Sequence, residues 1–245
     1  MEDEGDMMLK VEGLTKKYRN IVAVDNISFT LNRGDIAGLL GPNGAGKSTT
    51  IKTIVGLLRK NSGSITVDDY PHTSREAKKK FTYVPEAPEL YDMLTVWEHL
   101  QFIAYAYDVA GFEDKAERLL ERFDLWDKKD KLAKELSKGM KQKVSICCGL
   151  LPEPLLYLFD EPMIGLDPKS IRETKLIFKE LSAQQKTILV STHLLDSIEN
   201  LCGRVLVLKQ GKIIVDMAME EMKRKLGNSE SVSLEELFLE VTRDE

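Results

Sequence analysis

The feature that most constrains the fold is a glycine-rich loop, GPNGAGKST, which begins at Gly41 between the apolar runs DIAGLL and TTIKTIVGLL. The first run is continuous, as in a buried strand, and the apolar residues of the second recur at helical spacing. The loop fits the pattern G-x-x-x-x-G-K-[ST] in the strand-to-helix context that this pattern requires. Further strands alternate with helices along the chain, which predicts an α/β protein with a parallel sheet.

The loop predicts a polyphosphate site. Its glycines let the backbone curl so that successive N–H groups face the β-phosphate, and the helix that starts near Lys47 directs its positive end there. Lys47 adds a point charge toward the γ-phosphate, and the Ser48 hydroxyl is suited to ligate Mg²⁺. The predicted nucleotide ligands in the loop are Gly41, Asn43, Gly44, Ala45, Gly46, Lys47, Ser48 and Thr49.

Two later strands are predicted to bring polar residues to the same edge of the sheet, where open α/β sheets bind ligands. The run LLYLFDEP ends in Asp160 and Glu161, and the run TILVST precedes His193. Asp160 is predicted to hold Mg²⁺, Glu161 to polarise the attacking water as general base, and His193 to contact the γ-phosphate or the water. Taken alone, two acids at a strand end suit a surface as well as a site, and a lone histidine is usually structural. The glycine loop upstream favours the site.

The composition is typical of a cytosolic globular protein. The 245 residues carry a net charge of −5, so no global positive field attracts nucleic acid or an acidic membrane. The three cysteines have neither disulfide-framework nor metal spacing, and are predicted to be small buried side chains in a reducing cytoplasm. Apolar runs are too short to span a membrane, and MEDEGDMM is acidic where a signal peptide is basic.

The organisation around the loop predicts one domain with subdomains. LKVEGLTKKY and AVDNISFTLN have the pattern of strands in a small antiparallel layer, and RVLVLKQGKIIVDM that of a hairpin. Two short helices are predicted at the end, the last being SLEELFLEVT. Residues 87–150 are predicted to form a helical subdomain inserted into a β layer and core made of residues 1–86 and 151–245.

The segment LSKGMKQ predicts a second anion-binding helix start. Ser137 is a good N-cap, Gly139 lies in the first helical turn, and Lys138 adds positive charge. A single active site has one γ-phosphate, which Lys47 already holds. A second cradle on a separate lobe therefore suggests that it serves another subunit.

Taken in order, these motifs resemble those of the ATP-binding subunits of ABC transporters, along essentially the whole chain. GPNGAGKST is similar to the Walker A motif, YLFDE to Walker B, LSKGM to the signature, IGLDP with Asp167 to the D-loop, and STH to the switch histidine. The resemblance implies a P-loop NTPase with a RecA-like parallel-sheet core, an antiparallel β subdomain and an inserted α-helical subdomain.

In that family two subunits enclose two ATP molecules head to tail, and membrane subunits read the closure. The resemblance therefore implies ATP and Mg²⁺ as cofactors, and a dimer with an identical or paralogous ATPase. Ser137 and Gly139 would contact the opposing subunit's ATP, with Asp167 nearby. Tyr18 resembles the aromatic that stacks on adenine, although an exposed strand end is the commoner place for such a residue. Ala23 would face the other side of the base.

The chain departs from the family pattern in three places. In the LSGGQ signature, Lys138 replaces a glycine and Met140 a glutamine; SKGMKQ is frequent among bacterial exporters of the ABC-2 type. Ala23 is small, which predicts loose purine selectivity. Glu86, in the hinge segment YVPEAPEL, replaces a glutamine, and an acid there resembles Ecs-type exporters and those that expel lantibiotic peptides.

Glu86 is predicted to be a Mg²⁺ ligand, because a carboxylate is a harder ligand than an amide. Its charge also repels Asp160, Glu161 and the γ-phosphate unless the metal is bound. We therefore hypothesise that Glu86 makes closure of the dimer more dependent on Mg²⁺ than glutamine would.

The predicted function is an ATP-binding and ATP-hydrolysing subunit that powers export through a separate integral membrane permease, at the cytoplasmic face of the membrane. The alternative is a soluble ATPase switch acting on a ribosome or nucleic acid, although such relatives usually carry two cassettes or long coiled coils. A bare nucleotide-binding module is disfavoured because Glu161 and His193 are both present. Tyr91 and the helix around Trp97 are predicted to line a groove for the permease, or else to be buried in the lobe. The transported substrate is not encoded in this chain.

Overall fold

Ten strands and seven α-helices lie within residues 6–193, 198 and 200–225, the part of the chain that the computed structural model describes. The strands are β1 (Met7–Tyr18), β2 (Ile21–Asn32), β3 (Ile36–Leu40), β4 (Ser62–Val67), β5 (Tyr70–Pro71), β6 (Phe81–Val84), β7 (Leu156–Asp160), β8 (Thr187–Thr192), β9 (Arg204–Lys209) and β10 (Lys212–Ala218). The helices are α1 (Lys47–Ile54), α2 (Arg75–Lys78), α3 (Val96–Ala106), α4 (Glu113–Arg122), α5 (Lys138–Leu150), α6 (Pro168–Ala183) and α7 (Met219–Lys225). The predicted helix SLEELFLEVT lies outside the described residues.

The centre of the fold is a six-stranded sheet with the order β10-β9-β3-β8-β7-β6. Strands β9, β3, β8, β7 and β6 are parallel, and β10 joins the edge as the antiparallel half of a hairpin. Every residue of β3, β7 and β8 is buried, as expected for parallel strands covered on both faces. The parallel sheet and the terminal hairpin predicted from the sequence are confirmed.

A second, antiparallel sheet has the order β2-β1-β4-β5. Its apolar side chains pack with α1 and one face of the central sheet in a single cluster that includes Leu14, Leu39 and Ile51. The backbone N–H of Asp25 also donates to Gly211 O, which ties β2 to the hairpin. The predicted antiparallel layer is therefore present, and it supports one side of the glycine loop.

Helices α3, α4 and α5 follow one another between β6 and β7 and form the predicted helical lobe. Their starts carry local signals: Thr95 and Glu98 form a capping box before α3, and the Ser137 hydroxyl accepts from Met140 N at the start of α5. Helix α1 ends at Ile54, short of the predicted run, because Gly56 then takes a left-handed conformation with φ of 81°.

Apolar side chains of the lobe and the other face of the central sheet form a second cluster. It contains all three cysteines, Cys147, Cys148 and Cys202, as free and buried thiols. Burial raises the pKa of Cys148 and of Cys202 to about 12, so both stay protonated and unreactive at neutral pH. Among the described helices, none combines the length and apolarity needed to cross a bilayer.

Candidate nucleotide-binding and catalytic site

A pocket of about 440 Å³ opens where β3, β7 and β8 end. Residues 42–49 of the glycine loop form one wall, and Ala23, Glu86, Glu161, Ile164 and His193 complete the lining. The pocket thus brings together nearly all the loop residues, the predicted general base Glu161, His193 and the hinge residue Glu86.

The glycine loop packs directly on β2, and Gly46 makes that approach possible. Its φ is 108°, and a Cβ at this position would lie 2.5 Å from the carbonyl oxygen of Ala23. Only glycine suits such a left-handed conformation beside a backbone oxygen. The loop therefore delivers Lys47, the first residue of α1, into the pocket at a fixed position.

The side chain of Lys47 reaches back to the start of the loop. Its Nζ donates to Gly41 O at 2.7 Å and lies 3.5 Å from Glu161 Oε1, and both charged side chains are only about 6% exposed. A buried ion pair is stable only while each charge keeps a partner. A bound polyphosphate would take over the ammonium group, because Lys offers three donors and the phosphate oxygens accept strongly.

Asp160 and Ser48 form the candidate metal site. The Ser48 Oγ donates to Asp160 Oδ1 at 2.9 Å, and the Ser191 Oγ donates to the same oxygen at 2.6 Å. Asp160 is fully buried, and no cation pairs with it among the described residues. A buried carboxylate without a counter-ion favours binding of a cation, and its oxygen ligands fit Mg²⁺.

The candidate metal site offers few protein ligands. Among the described residues, no group of three or more His, Cys, Asp or Glu side chains could hold a metal ion. Mg²⁺ typically binds through one or two carboxylates together with substrate phosphates. Ser48 and Glu86 line the pocket, and Asp160 lies behind Ser48, whose hydroxyl donates to it, which fits that pattern.

Glu161 is held as a candidate general base by backbone and side-chain contacts. Its backbone φ is 48°, in the left-handed region, and its N–H donates to Ser191 O at 3.1 Å. His193 Nδ1 lies 3.0 Å from Glu161 Oε1. Left-handed backbone in a residue other than glycine is often found at functional sites. Here it directs the carboxylate toward Lys47 and His193.

Six predicted site residues are absent from the pocket lining. Gly41 and Asp160 still adjoin it through their hydrogen bonds with Lys47 and Ser48, whereas the other four lie elsewhere. Tyr18 is 43% exposed at the end of β1, with Lys16 Nζ 5.0 Å from its ring centre. Ser137 and Gly139 lie at the start of α5, and Asp167 caps α6. The structure does not bring these four to the loop of the same chain, and their roles toward ATP stay predictions.

Ser191 is a functional residue that the sequence interpretation missed. Its hydroxyl contacts both Asp160 Oδ1 and the N–H of Glu161, so one side chain positions both acids. The available signal was a hydroxyl residue near the end of an otherwise apolar strand, just before His193.

Together, the sheet topology and the pocket define a class: a P-loop nucleoside triphosphatase with an inserted helical lobe. The sequence pattern of the family described as "ABC transporter" matches residues 24–164. The chain is 37% identical to the ABC-type transporter ATP-binding protein EcsA of Bacillus subtilis (strain 168), over 97% of this chain and 98% of EcsA. It is 36% identical to the SkfA peptide export ATP-binding protein SkfE of the same organism, over 89% and 92%.

Solved structures agree. An ATP-binding subunit of an ABC transporter superposes with a TM-score of 0.90 at 37% identity, covering 96% of this chain and 100% of that one. A dimeric ATP-binding cassette bound to ADP and Pi gives a TM-score of 0.79 at 26% identity, covering 86% and 99%. The chain belongs to the ATP-binding subunits of ABC transporters, a family that hydrolyses ATP. The predicted family, fold class and ATPase activity are confirmed.

Proposed function

We propose that this chain powers export as one half of a head-to-tail ATPase dimer, bound to a separate membrane permease at the cytoplasmic face of the membrane. ABC ATP-binding subunits dimerise and work with membrane permeases, and this chain shares that family's fold. The similarity to the SkfA peptide export ATP-binding protein SkfE supports export. The observation that carries the proposal is Glu161, buried at the pocket between Lys47 and His193.

ATP binding would first replace the contacts of Lys47. Its Nζ would leave Gly41 O and Glu161 for the phosphates, which frees Glu161 Oε1 to accept a proton from the attacking water. His193 Nδ1 would keep the carboxylate oriented during this exchange. Bound Mg²⁺ would neutralise charge on the β- and γ-phosphates.

The second half of each composite site would come from α5. Ser137 and Lys138 are exposed at the start of this helix, so their N–H groups and charge are available to a partner's ATP. In this proposal residues 87–150 form the lobe that carries the cradle. Tyr18, exposed at the end of β1, would stack on the adenine.

A groove of about 290 Å³ beside the hinge is the proposed permease site. Tyr91 is 59% exposed and packs edge-on against Phe102 of α3, with ring centres 5.6 Å apart. Trp97 instead packs against Phe112 and Trp126 inside the lobe. The exposed aromatic wall suits an apolar segment of the permease. Nothing in the comparisons favours the ribosome or nucleic-acid switch.

Glu161→Gln tests the assignment of base and dimer. The amide cannot accept the proton, so ATP hydrolysis should fall about 10²–10⁴-fold while ATP binding persists. Unhydrolysed ATP should then accumulate a dimer, which light scattering coupled to size exclusion detects. Glu121→Gln, at an exposed position of α4, is the matched control. A Glu161→Gln chain that binds ATP but stays monomeric at saturating MgATP would refute the proposal.

A further inference from the structure

Tyr83 lies between the groove and the candidate metal site. It belongs to β6, the edge strand of the central sheet, and its side chain forms part of the groove wall. Parallel pairing sets Tyr83 opposite Leu158, and alternate residues of a strand share a face. Asp160 follows two positions after Leu158 on β7. Tyr83 and Asp160 therefore project from the same face of neighbouring strands.

The polar atoms of these two residues approach one another without completing a hydrogen bond. The Tyr83 hydroxyl and Asp160 Oδ2 are buried, and neither has a partner at hydrogen-bond geometry among the described residues, yet Asp160 is near enough for its contact with the hydroxyl to raise the pKa of Tyr83. The other oxygen, Asp160 Oδ1, already accepts from Ser48 and Ser191. An unpaired buried donor and an unpaired buried acceptor each carry a free-energy cost, which a mutual hydrogen bond would remove.

The charges around Tyr83 keep its hydroxyl a donor. Burial raises the pKa of the phenol, and the negative charges of Asp160 and Glu89, the contact of the hydroxyl with the Asp160 side chain and the charge of Glu86 raise it further. The hydroxyl is therefore protonated at neutral pH, and Asp160, whose Oδ2 has no donor, is the acidic neighbour that acts on it most.

We propose that Tyr83 is a positioning residue for Asp160, donating to Oδ2 in the nucleotide-bound state, and that its ring links the groove to the metal site. The inference rests on the proposed Mg²⁺–ATP site. Donors to Oδ1 alone leave the carboxylate free to pivot, whereas a donor to Oδ2 fixes both oxygens. Partners that orient a metal ligand typically change metal affinity by about 10–100-fold.

The chain supplies a matched control in Tyr157. Its hydroxyl is also buried without a partner, but the residue lies on β7 in the cluster on the opposite face of the sheet, stacked on Phe159 at 6.1 Å. Tyr157→Phe removes one buried hydroxyl oxygen, as Tyr83→Phe does, but on the opposite face of the sheet from Asp160. Tyr83→Phe and Tyr157→Phe therefore differ in the one contact under test.

The direct measurement is Mn²⁺ binding in the presence of a saturating non-hydrolysable ATP analogue. The electron paramagnetic resonance signal of free Mn²⁺ reports how much of the metal is bound. Tyr83→Phe should weaken Mn²⁺ affinity about tenfold, leave metal-free nucleotide affinity unchanged, and keep the wild-type circular dichroism spectrum. Tyr157→Phe should retain wild-type Mn²⁺ affinity. In protein labelled with 3-fluorotyrosine, the ¹⁹F signal of Tyr83 is identified as the one that is missing from the spectrum of Tyr83→Phe. In the wild type, this signal should shift on addition of Mg²⁺ and the analogue.

The outcomes separate this inference from the proposed function. Unchanged or tighter Mn²⁺ binding in Tyr83→Phe, or an equal loss in Tyr157→Phe, overturns the positioning role. A ¹⁹F signal that does not move overturns the link to the groove. Asp160→Asn should itself lose Mn²⁺ affinity; if it does not, the metal site of the proposed function fails instead.

Discussion

At the scale of single residues, Glu86 is an acid at the hinge position where the resemblance to the family pattern leads us to expect a neutral glutamine. It is exposed at the rim of the nucleotide pocket, and it also lines an adjoining cleft of about 410 Å³ that contains Lys138 and Lys141 of α5. The carboxylate therefore has cations on one side and the predicted metal position on the other. Without the metal, its charge adds to that of Asp160, Glu161 and the γ-phosphate.

Glu86→Gln should make closure of the dimer less dependent on metal. In the non-hydrolysing Glu161→Gln background, the ATP concentration that gives half-maximal dimer in EDTA should fall on the order of tenfold, because one repelling charge is removed. Light scattering with and without Mg²⁺ measures the effect. Glu89→Gln, in the same exposed loop but outside the pocket lining, is the control. An unchanged ratio between the EDTA and Mg²⁺ values would contradict the hypothesis.

At the scale of elements, α5 is bound to the segment that follows Glu161, the candidate general base. A Cβ on Gly139 would lie 2.7 Å from Gly165 O, Gln142 Nε2 donates to Pro162 O at 3.1 Å, and Lys143 Nζ lies 2.8 Å from Asp167. Positions 139, 142 and 143 share one face of the helix, because residues three and four apart are neighbours there. The cradle proposed for the partner's ATP is therefore attached to the segment after this chain's own Glu161.

Lys143→Met should weaken this attachment. The hydrogen bond from Lys143 is the largest cause of the lowered pKa of Asp167, so the pair stabilises the fold while Asp167 is ionised. Asp167 is about half exposed, and screening limits the loss to a fall in Tm of about 2 °C at pH 7.

The pH dependence has a definite sign. A depressed folded-state pKa contributes stability that is complete above the unfolded pKa of about 4 and is lost as pH falls below it. The Tm difference between wild type and Lys143→Met should thus be constant from pH 6 to 8 and shrink in acid. Lys141→Met, whose partner Asp92 is 3.8 Å away on the surface, should leave Tm unchanged. An equal effect of both variants would argue against the attachment.

Local signals explain how much of these elements could be predicted. The glycine loop, the buried strands and the N-cap Ser137 all depend on neighbouring residues, and each appears where the sequence indicated. The double contact of Ser191 and the attachment of α5 to the segment after Glu161 depend on elements far apart in sequence. Neither periodicity nor spacing reports which faces meet. Tyr18 shows the same limit, since proximity to an adenine is a tertiary property.

At the scale of the whole molecule, the chain carries two candidate phosphate cradles on different elements, the glycine loop and the start of α5. Residues 42–49 line the pocket, whereas Ser137 caps a different helix and is absent from that lining. In a twofold dimer, a contact from one chain to the other is returned by symmetry, so two composite sites would form at once. Each site would then use the loop of one chain and the α5 start of the other.

Mixing two inactive variants tests this arrangement. Lys47→Ala removes the charge at the phosphates, and Ser137→Arg blocks the cradle, so each variant alone should lack ATPase activity. A mixed dimer places both defects in one site and leaves the other intact. Equal amounts should therefore restore about a quarter of wild-type activity, since half of the dimers are mixed and each has one working site. Mixing Lys47→Ala with Glu161→Gln should restore no activity. Lys47 and Glu161 both act on the ATP that is bound by the loop of their own chain, so each of the two sites in a mixed dimer carries one defect. Without recovery in the first mixture, the two cradles would have to serve the same chain, and the head-to-tail dimer would be wrong.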